Sequence, residues 1–155
     1  MKKILTVILS IKGYSDNTFR PDENVSRAEF VAMTVRFNSL FNEVKKGSYT
    51  VKYIDVASNY WAYSDIAYAK NVGWLNGYAD GSFKGDNAIT RAEVVTVVNR
   101  ATNRKADEDY ITKNVSVLNK FTDIRNNSMW YYTDVMEAAN THIANSSNDT
   151  ETWVK

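Results

Sequence analysis

A chain of 155 residues with 44% hydrophobic residues can bury one modest core or a few small repeat units, not two large domains. Nineteen basic and eighteen acidic side chains leave a formal charge of +1, which excludes the global field that would draw the chain to nucleic acid or an anionic membrane. Without cysteine, and with a single histidine, disulfides, thiolate metal centres, cysteine nucleophiles and the usual imidazole metal sites are excluded, and no cofactor is expected.

Residues 1–12 open on Met1, Lys2 and Lys3, followed by the apolar run Ile4 to Ile11, like the start of a signal peptide. The run is too short to span a bilayer, and Lys12, Gly13 and Tyr14 stand where a small-residue cleavage site would follow. The segment is read as partly signal-like or as the remnant of a first repeat.

From Gly13 the sequence reads GYSDNTFRPDENVSRAEFVAMTVR, and from Gly77, 64 residues on, GYADGSFKGDNAITRAEVVTVVNR. Between Gly13 and Phe37 ten of 25 positions are identical, where ordinary composition gives about one or two. Each copy opens with a turn, Gly-Tyr-x-Asp followed by Asn17 or Gly81, and Phe19 and Phe83 are expected to plug inward.

Ser26-Arg27-Ala28-Glu29 and Thr90-Arg91-Ala92-Glu93 then form capping boxes, so a helix starts at each. Behind the first, Phe30, Met33, Phe37 and Phe41 predict one apolar stripe. Behind the second, Val94 to Val98 favour a strand by propensity, but the cap and the duplication predict a helix.

A second block repeats as well. YIDVASNYWAYSDIAYA from Tyr53 returns as FTDIRNNSMWYYTDVMEAA from Phe121, with one extra residue before the tryptophan. Ala62, Ile66, Ala69 and Gly73, and likewise Tyr131, Val135, Ala138 and His142, fall on one helical face, and His142 would complement the dipole at the end of the last helix. The polar stretches 43–52 and 102–120 read as connections, the second with room for a helical turn.

Taken in order, aromatic-x-Asp-Val, Trp-Ala-Tyr, Gly-Tyr-x-Asp-Gly-x-Phe and Ile-Thr-Arg-Ala-Glu make one repeat that resembles the S-layer homology family. Residues 53–104 resemble a complete repeat, 13–42 the rear half of another and 121–145 the front half of a third, with 146–155 left as a polar tail. Asn17, Gly85 and Ser26 stand where the family prefers glycine, proline and threonine.

The resemblance implies a mainly α fold, a pseudo-repeat bundle of short helix-loop-helix prongs with room for very short strands before the Gly-Tyr turns. Each prong would pair a capping-box helix with the next aspartate-tryptophan helix. It also implies an extracellular module that performs no chemistry and holds a surface protein on a cell-wall polysaccharide, a secondary, often pyruvylated polymer, in Gram-positive bacteria. The competing readings are an assembly module that self-associates through its incomplete repeats, a fragment that needs a partner, and a carboxylate glycosidase.

Arg27 and Arg91 sit just behind their caps, at the positive end of the helix dipole, where a cation costs a few tenths of a kcal/mol. An arginine there suits an anionic ligand; the other reading pairs it with an aspartate such as Asp80 or Asp123, or leaves it in solvent. Trp61 and Trp130 could stack on a sugar or anchor the core, with the core expected first. Asp55 and Asp123 are read as turn caps before sugar acceptors, Gly77 and Tyr78 as the border of a groove, and Ser26, Glu29, Thr90 and Glu93 as structural caps.

Overall fold

The computed structural model describes residues 13–40, 44, 49–124, 127–147 and 150–154. The apolar run Ile4 to Ile11, and Phe41 of the expected stripe, lie outside the described residues. The element order is α1 (Arg27–Asn38), α2 (Tyr63–Asn71), α3 (Arg91–Ala101), α4 (Glu108–Asn114), α5 (Tyr132–Ala139), β1 (Ile143–Ser147) and β2 (Thr150–Val154). The protein is mainly α, as its pattern predicts.

The chain divides into two compact units, Met1–Ile89 and Thr90–Lys155. The boundary falls at the capping box of α3, inside the stretch 53–104 read above as one repeat, so structural units and sequence repeats are out of register. In the first unit the capping-box helix α1 packs on the next aspartate-tryptophan helix α2, and in the second α3 packs on α5.

Both capping boxes are formed. Ser26 Oγ accepts from Glu29 N at 3.2 Å while Glu29 Oε2 accepts from Ser26 N at 2.8 Å. Thr90 and Glu93 repeat the exchange at 3.3 and 2.9 Å. Two otherwise orphaned donors are satisfied at each helix start, and the valine run of α3 is helical because this nucleus outweighs its strand propensity.

The buried face of α1 is Ala28, Val31, Ala32 and Val35, not the expected Phe30, Met33 and Phe37. Phe37 is exposed, whereas the small face lets α1 approach α2, which buries Ala62, Ile66 and Ala69. Burying Val31, Val35 and Ile66 contributes about 1.5–3 kcal/mol each. At the positions of Ala32 and Val35, α3 carries Thr96 and Asn99, which bond Asp134 of α5: Thr96 Oγ1 donates to Oδ2 at 2.9 Å and Asn99 Nδ2 to the carbonyl at 2.9 Å. Equivalent helix pairs thus join through apolar packing in one unit and hydrogen bonds in the other.

The polar stretch 102–120 holds α4, capped by Asp107, whose Oδ1 accepts from Tyr110 N at 2.8 Å. Strands occur at the C-terminal end, where Ile143 opposite Val154 through Ser147 opposite Thr150 make an antiparallel hairpin. Among the described residues the expected strands before the Gly-Tyr turns do not form: a single bridge, Tyr53 to Val56, precedes the second turn, and another, Ser26 to Ala88, joins the segments that follow the two turns. Residues 146–155 are therefore not a simple polar tail: Trp153 is buried with Ile111 and Met136 in the core of the second unit.

His142 lies beyond α5, which stops at Ala139 with Asn140 extended, so it does not continue the helical face expected for it. Ala138 of that face is exposed, and the covered side is Met136 and Glu137. His142 stacks on Trp153 at 3.8 Å between ring centroids. Glu137 accepts from Arg104 Nε at 2.8 Å and from Trp153 Nε1 at 3.0 Å, so one buried carboxylate ties α5 to the end of α3 and to the hairpin. Glu137→Ala leaves the indole donor unsatisfied while half-exposed Arg104 rehydrates. The variant is expected to lose about 1–3 kcal/mol in urea unfolding of the second unit; an unchanged midpoint would remove Glu137 from the list of its supports.

Candidate ligand site

The duplicated turns fold alike, atom for atom. Tyr14 N donates to Thr18 O at 2.9 Å, and Tyr78 N to Ser82 O at 2.8 Å. Asp16 Oδ1 accepts from Thr18 N, and Asp80 Oδ1 from Ser82 N, both at 3.0 Å. Asn17 and Gly81 take φ of 63° and 81°, Arg20 and Lys84 both 55°. Asparagine tolerates the left-handed region, so replacing glycine at position 17 does not loosen the loop.

Charge completes each turn. Arg20 pairs with Asp16 at 2.9 Å and lies over the Tyr14 ring at 4.0 Å; Lys84 pairs with Asp80 at 3.1 Å and lies over Tyr78 at 4.3 Å. Bonds from Ser82 and Lys84 lower the Asp80 carboxyl from 3.8 to about 2, and Thr18 and Arg20 hold Asp16 further below the usual range.

The second turn is clamped to the front of its own repeat. Asp55 Oδ1 accepts from Phe83 N at 2.8 Å, Oδ2 accepts from Lys84 N at 2.7 Å, and Ile54 N donates to Gly81 O at 3.1 Å. Tyr53 stacks on Phe83 with centroids 5.6 Å apart. A Cβ at Gly77 would lie 2.7 Å from Ser82 O and run into the Tyr53 ring, so only glycine fits there. Phe83 is fully buried, but its counterpart Phe19 is 63% exposed, against the expectation that both plug inward.

Arg27 reaches this clamp from α1. Its Nε donates to Phe83 O at 2.9 Å, and its guanidinium lies 4.8 Å from the Tyr78 centroid and 4.9 Å from that of Phe83. Arg27 N and Ala28 N donate to Asn87 O and Gly85 O, each at 2.9 Å, so the same loop covers the first turn of α1. The side chain is only 7% exposed, neither solvent-borne nor a plain surface ion. Arg27, Asp55, Gly77 and Tyr78 are thus brought together around one phenylalanine.

Trp61 is 56% exposed and Trp130 62%, which overturns the core role expected for both. Each indole precedes the first turn of its helix, and burial falls instead to Ala62, Ala67 and Ala69 after Trp61 and to Met136 and Glu137 after Trp130. Tyr60, 5.9 Å from Trp61 between centroids, donates its hydroxyl to Asp86 at 2.6 Å; burial and that carboxylate push the phenol well above its usual range. In the second unit Arg91 and Asp123 are exposed. Sequence reasoning missed Phe83 as the hub and Glu137 as the anchor of the second unit; for Phe83 the signal was its exact recurrence as Phe19 inside the duplicated turn. Among the described residues no group of three or more His, Asp and Glu could hold a metal.

The S-layer homology domain profile matches residues 10–31 and 52–95. The chain is 31% identical over 150 residues to cell surface glycoprotein 1 of Acetivibrio thermocellus, covering 93% of this chain and 6% of that protein. It is 32% identical over 130 residues to the cellulosome-anchoring protein of the same organism, covering 84% of this chain and 27% of that protein. To the surface layer protein of Brevibacillus choshinensis it is 33% identical over 99 residues, 64% of this chain and 9% of that protein. The chain belongs to the S-layer homology family. It spans a small part of each of these relatives.

Because the folded Asp80 value lies below the unfolded one, its contribution to the loop is complete above about pH 4 and is lost as pH falls through about 2. A carboxyl-carbon NMR titration of Asp80 is expected to give a midpoint about 2; one near 4 would contradict the Ser82 and Lys84 bonds.

Proposed function

We propose that the chain anchors a surface protein non-covalently on bacterial cell-wall polysaccharide, outside the cell, and performs no chemistry. The ligand class is a secondary wall polymer with anionic, pyruvyl-type groups. One observation carries the reading: both copies place an arginine directly behind a capping box, where helix stability alone prefers an acid. There the dipole and a planar guanidinium both favour an anion.

Tyr78 offers part of its ring beside Arg27, and the exposed indoles of Trp61 and Trp130 suit the apolar face of a sugar. The names of the relatives, a surface glycoprotein, an anchoring protein and a surface layer protein, support the same location. The glycosidase reading is disfavoured because the acids of the repeated motifs are engaged with backbone: Asp55 with two loop amides, Glu29 and Glu93 with their caps.

The two arginines are unequal. Arg27 holds a carbonyl of its own unit, so Arg27→Ala also loosens the loop; exposed Arg91 probes binding alone. Arg91→Ala is expected to weaken sedimentation with polymer-bearing walls by roughly tenfold or more, with the helical circular dichroism unchanged. Arg27→Ala with Arg91→Ala is expected to abolish it. Folded wild type that ignores these walls, or binds equally to walls stripped of the secondary polymer, would overturn the anchoring reading.

A further inference from the structure

The neighbours of His142 in the second unit dictate which of its ring nitrogens carries a proton. Its Nδ1 lies 2.7 Å from Asn140 O, and a carbonyl only accepts, so Nδ1 is protonated. Its Nε2 lies 3.2 Å from Arg104 Nη2, and a guanidinium only donates, so Nε2 is a bare lone pair and the ring is neutral. That lone pair sits beside a carboxylate. Nε2 is 3.4 Å from Glu137 Oε1, the oxygen on which Arg104 Nε and Nη2 both converge.

A proton on Nε2 reverses these relations. Its N–H would point at the N–H of the guanidinium, and two cations would stand 3.2 Å apart over one carboxylate oxygen that either can hold. Arg104 is the one able to leave. Its side chain is half-exposed and can rehydrate, while its backbone stays fixed beyond α3, with Asn103 left-handed at φ 57° and Arg104 N bonded to Asn99 O at 2.7 Å. The His142 side chain is buried, Trp153 covers its face at 3.8 Å, and its Nδ1 bond survives protonation. Among the described residues, the charged groups placed around the ring are Glu137 from α5 and Arg104 from the end of α3. The cap of α4 adds the Asp107 carboxylate, which is taken up by Trp153 N at 3.1 Å and Tyr110 N at 2.8 Å.

We propose that His142 is a proton-operated switch: on acidification it takes Glu137 Oε1 from Arg104 and releases the guanidinium to solvent, where an anion can meet it. Glu137 keeps a cationic partner on both sides of the exchange. Trp153 Nε1 keeps Oε2 at 3.0 Å throughout, so the hairpin stays docked while the tie to the end of α3 opens. A rise in pH returns the proton to water and Arg104 to the carboxylate. Histidine is the side chain suited to such a change near neutral pH. The inference does not depend on the anchoring reading, since every group it uses lies in the second unit.

The test is NMR of the full chain, following the His142 ring nitrogens and the Arg104 Nε–H from about pH 8 down to about pH 5. At the upper end Nε2 is expected to show the shift of an unprotonated nitrogen, and Arg104 Nε–H that of a guanidinium bonded to a carboxylate. On acidification the two are expected to change with one midpoint, the arginine signal moving to that of a solvated side chain. In His142→Gln, checked for folding by circular dichroism, the Arg104 signal is expected to hold still over the same range. A ring that carries its proton on Nε2 at the upper end, or that does not titrate, overturns the proposal. So does a ring that titrates while Arg104 stays unchanged, or an Arg104 signal that moves with the wild-type midpoint in folded His142→Gln. Should His142→Gln fail to fold, the wild-type titration decides by itself.

Discussion

Phe83 is held from both sides of its peptide group, and the first unit depends on that. Its N–H enters the carboxylate of Asp55, 28 residues earlier, and its carbonyl accepts from Arg27, 56 residues earlier. Each bond is charge-assisted, roughly twice as strong as a neutral one, and the one from Arg27 is buried from water. With its backbone fixed, the Phe83 ring has one place to go, against Tyr53, and its complete burial follows. The repeat is thus closed by a residue in a loop, while the helices α1 and α2 supply the floor on which that loop rests.

The same arrangement explains why an arginine is tolerated at the wrong end of a helix dipole. A cation in the first turn of α1 loses a few tenths of a kcal/mol. The bond to Phe83 O and the faces of Tyr78 and Phe83 offset that loss, because guanidinium is weakly hydrated and stacks well. In the first unit, then, the arginine behind the cap is a structural tie. Arg91 at the equivalent cap is exposed, so the two equivalent motifs carry different loads.

Much of this was legible in the sequence, and the parts that were not have a common cause. The duplication, both capping boxes, the helical character of α3 and the buried face of α2 follow from local spacing, and local spacing is what a sequence displays. Periodicity shows which faces of a helix are apolar, but not which one a neighbour covers. On α1 the aromatic stripe was the louder signal and the alanine-valine face was the one buried, because close approach to α2 favours small side chains. Phe19 and Phe83 occupy the same place in the repeated motif, yet one is 63% exposed and the other fully buried, and Tyr53, Asp55 and Arg27, which hold Phe83, all lie outside its own turn. The hairpin was hidden for a related reason: its strand pattern is weak, and only the tertiary burial of Trp153 beside His142 and Glu137 makes the tail part of the core.

Offsetting the structural unit from the sequence repeat has a physical consequence for how such a module grows. The helix pairs α1–α2 and α3–α5 draw their members from adjacent copies, and the clamp on Phe83 draws its arginine from the copy before, so neighbouring copies share their buried surfaces. If polymer sites lie beside those arginines, every added copy places another weak site on the same wall. Linked weak sites retain a surface far longer than any one of them alone.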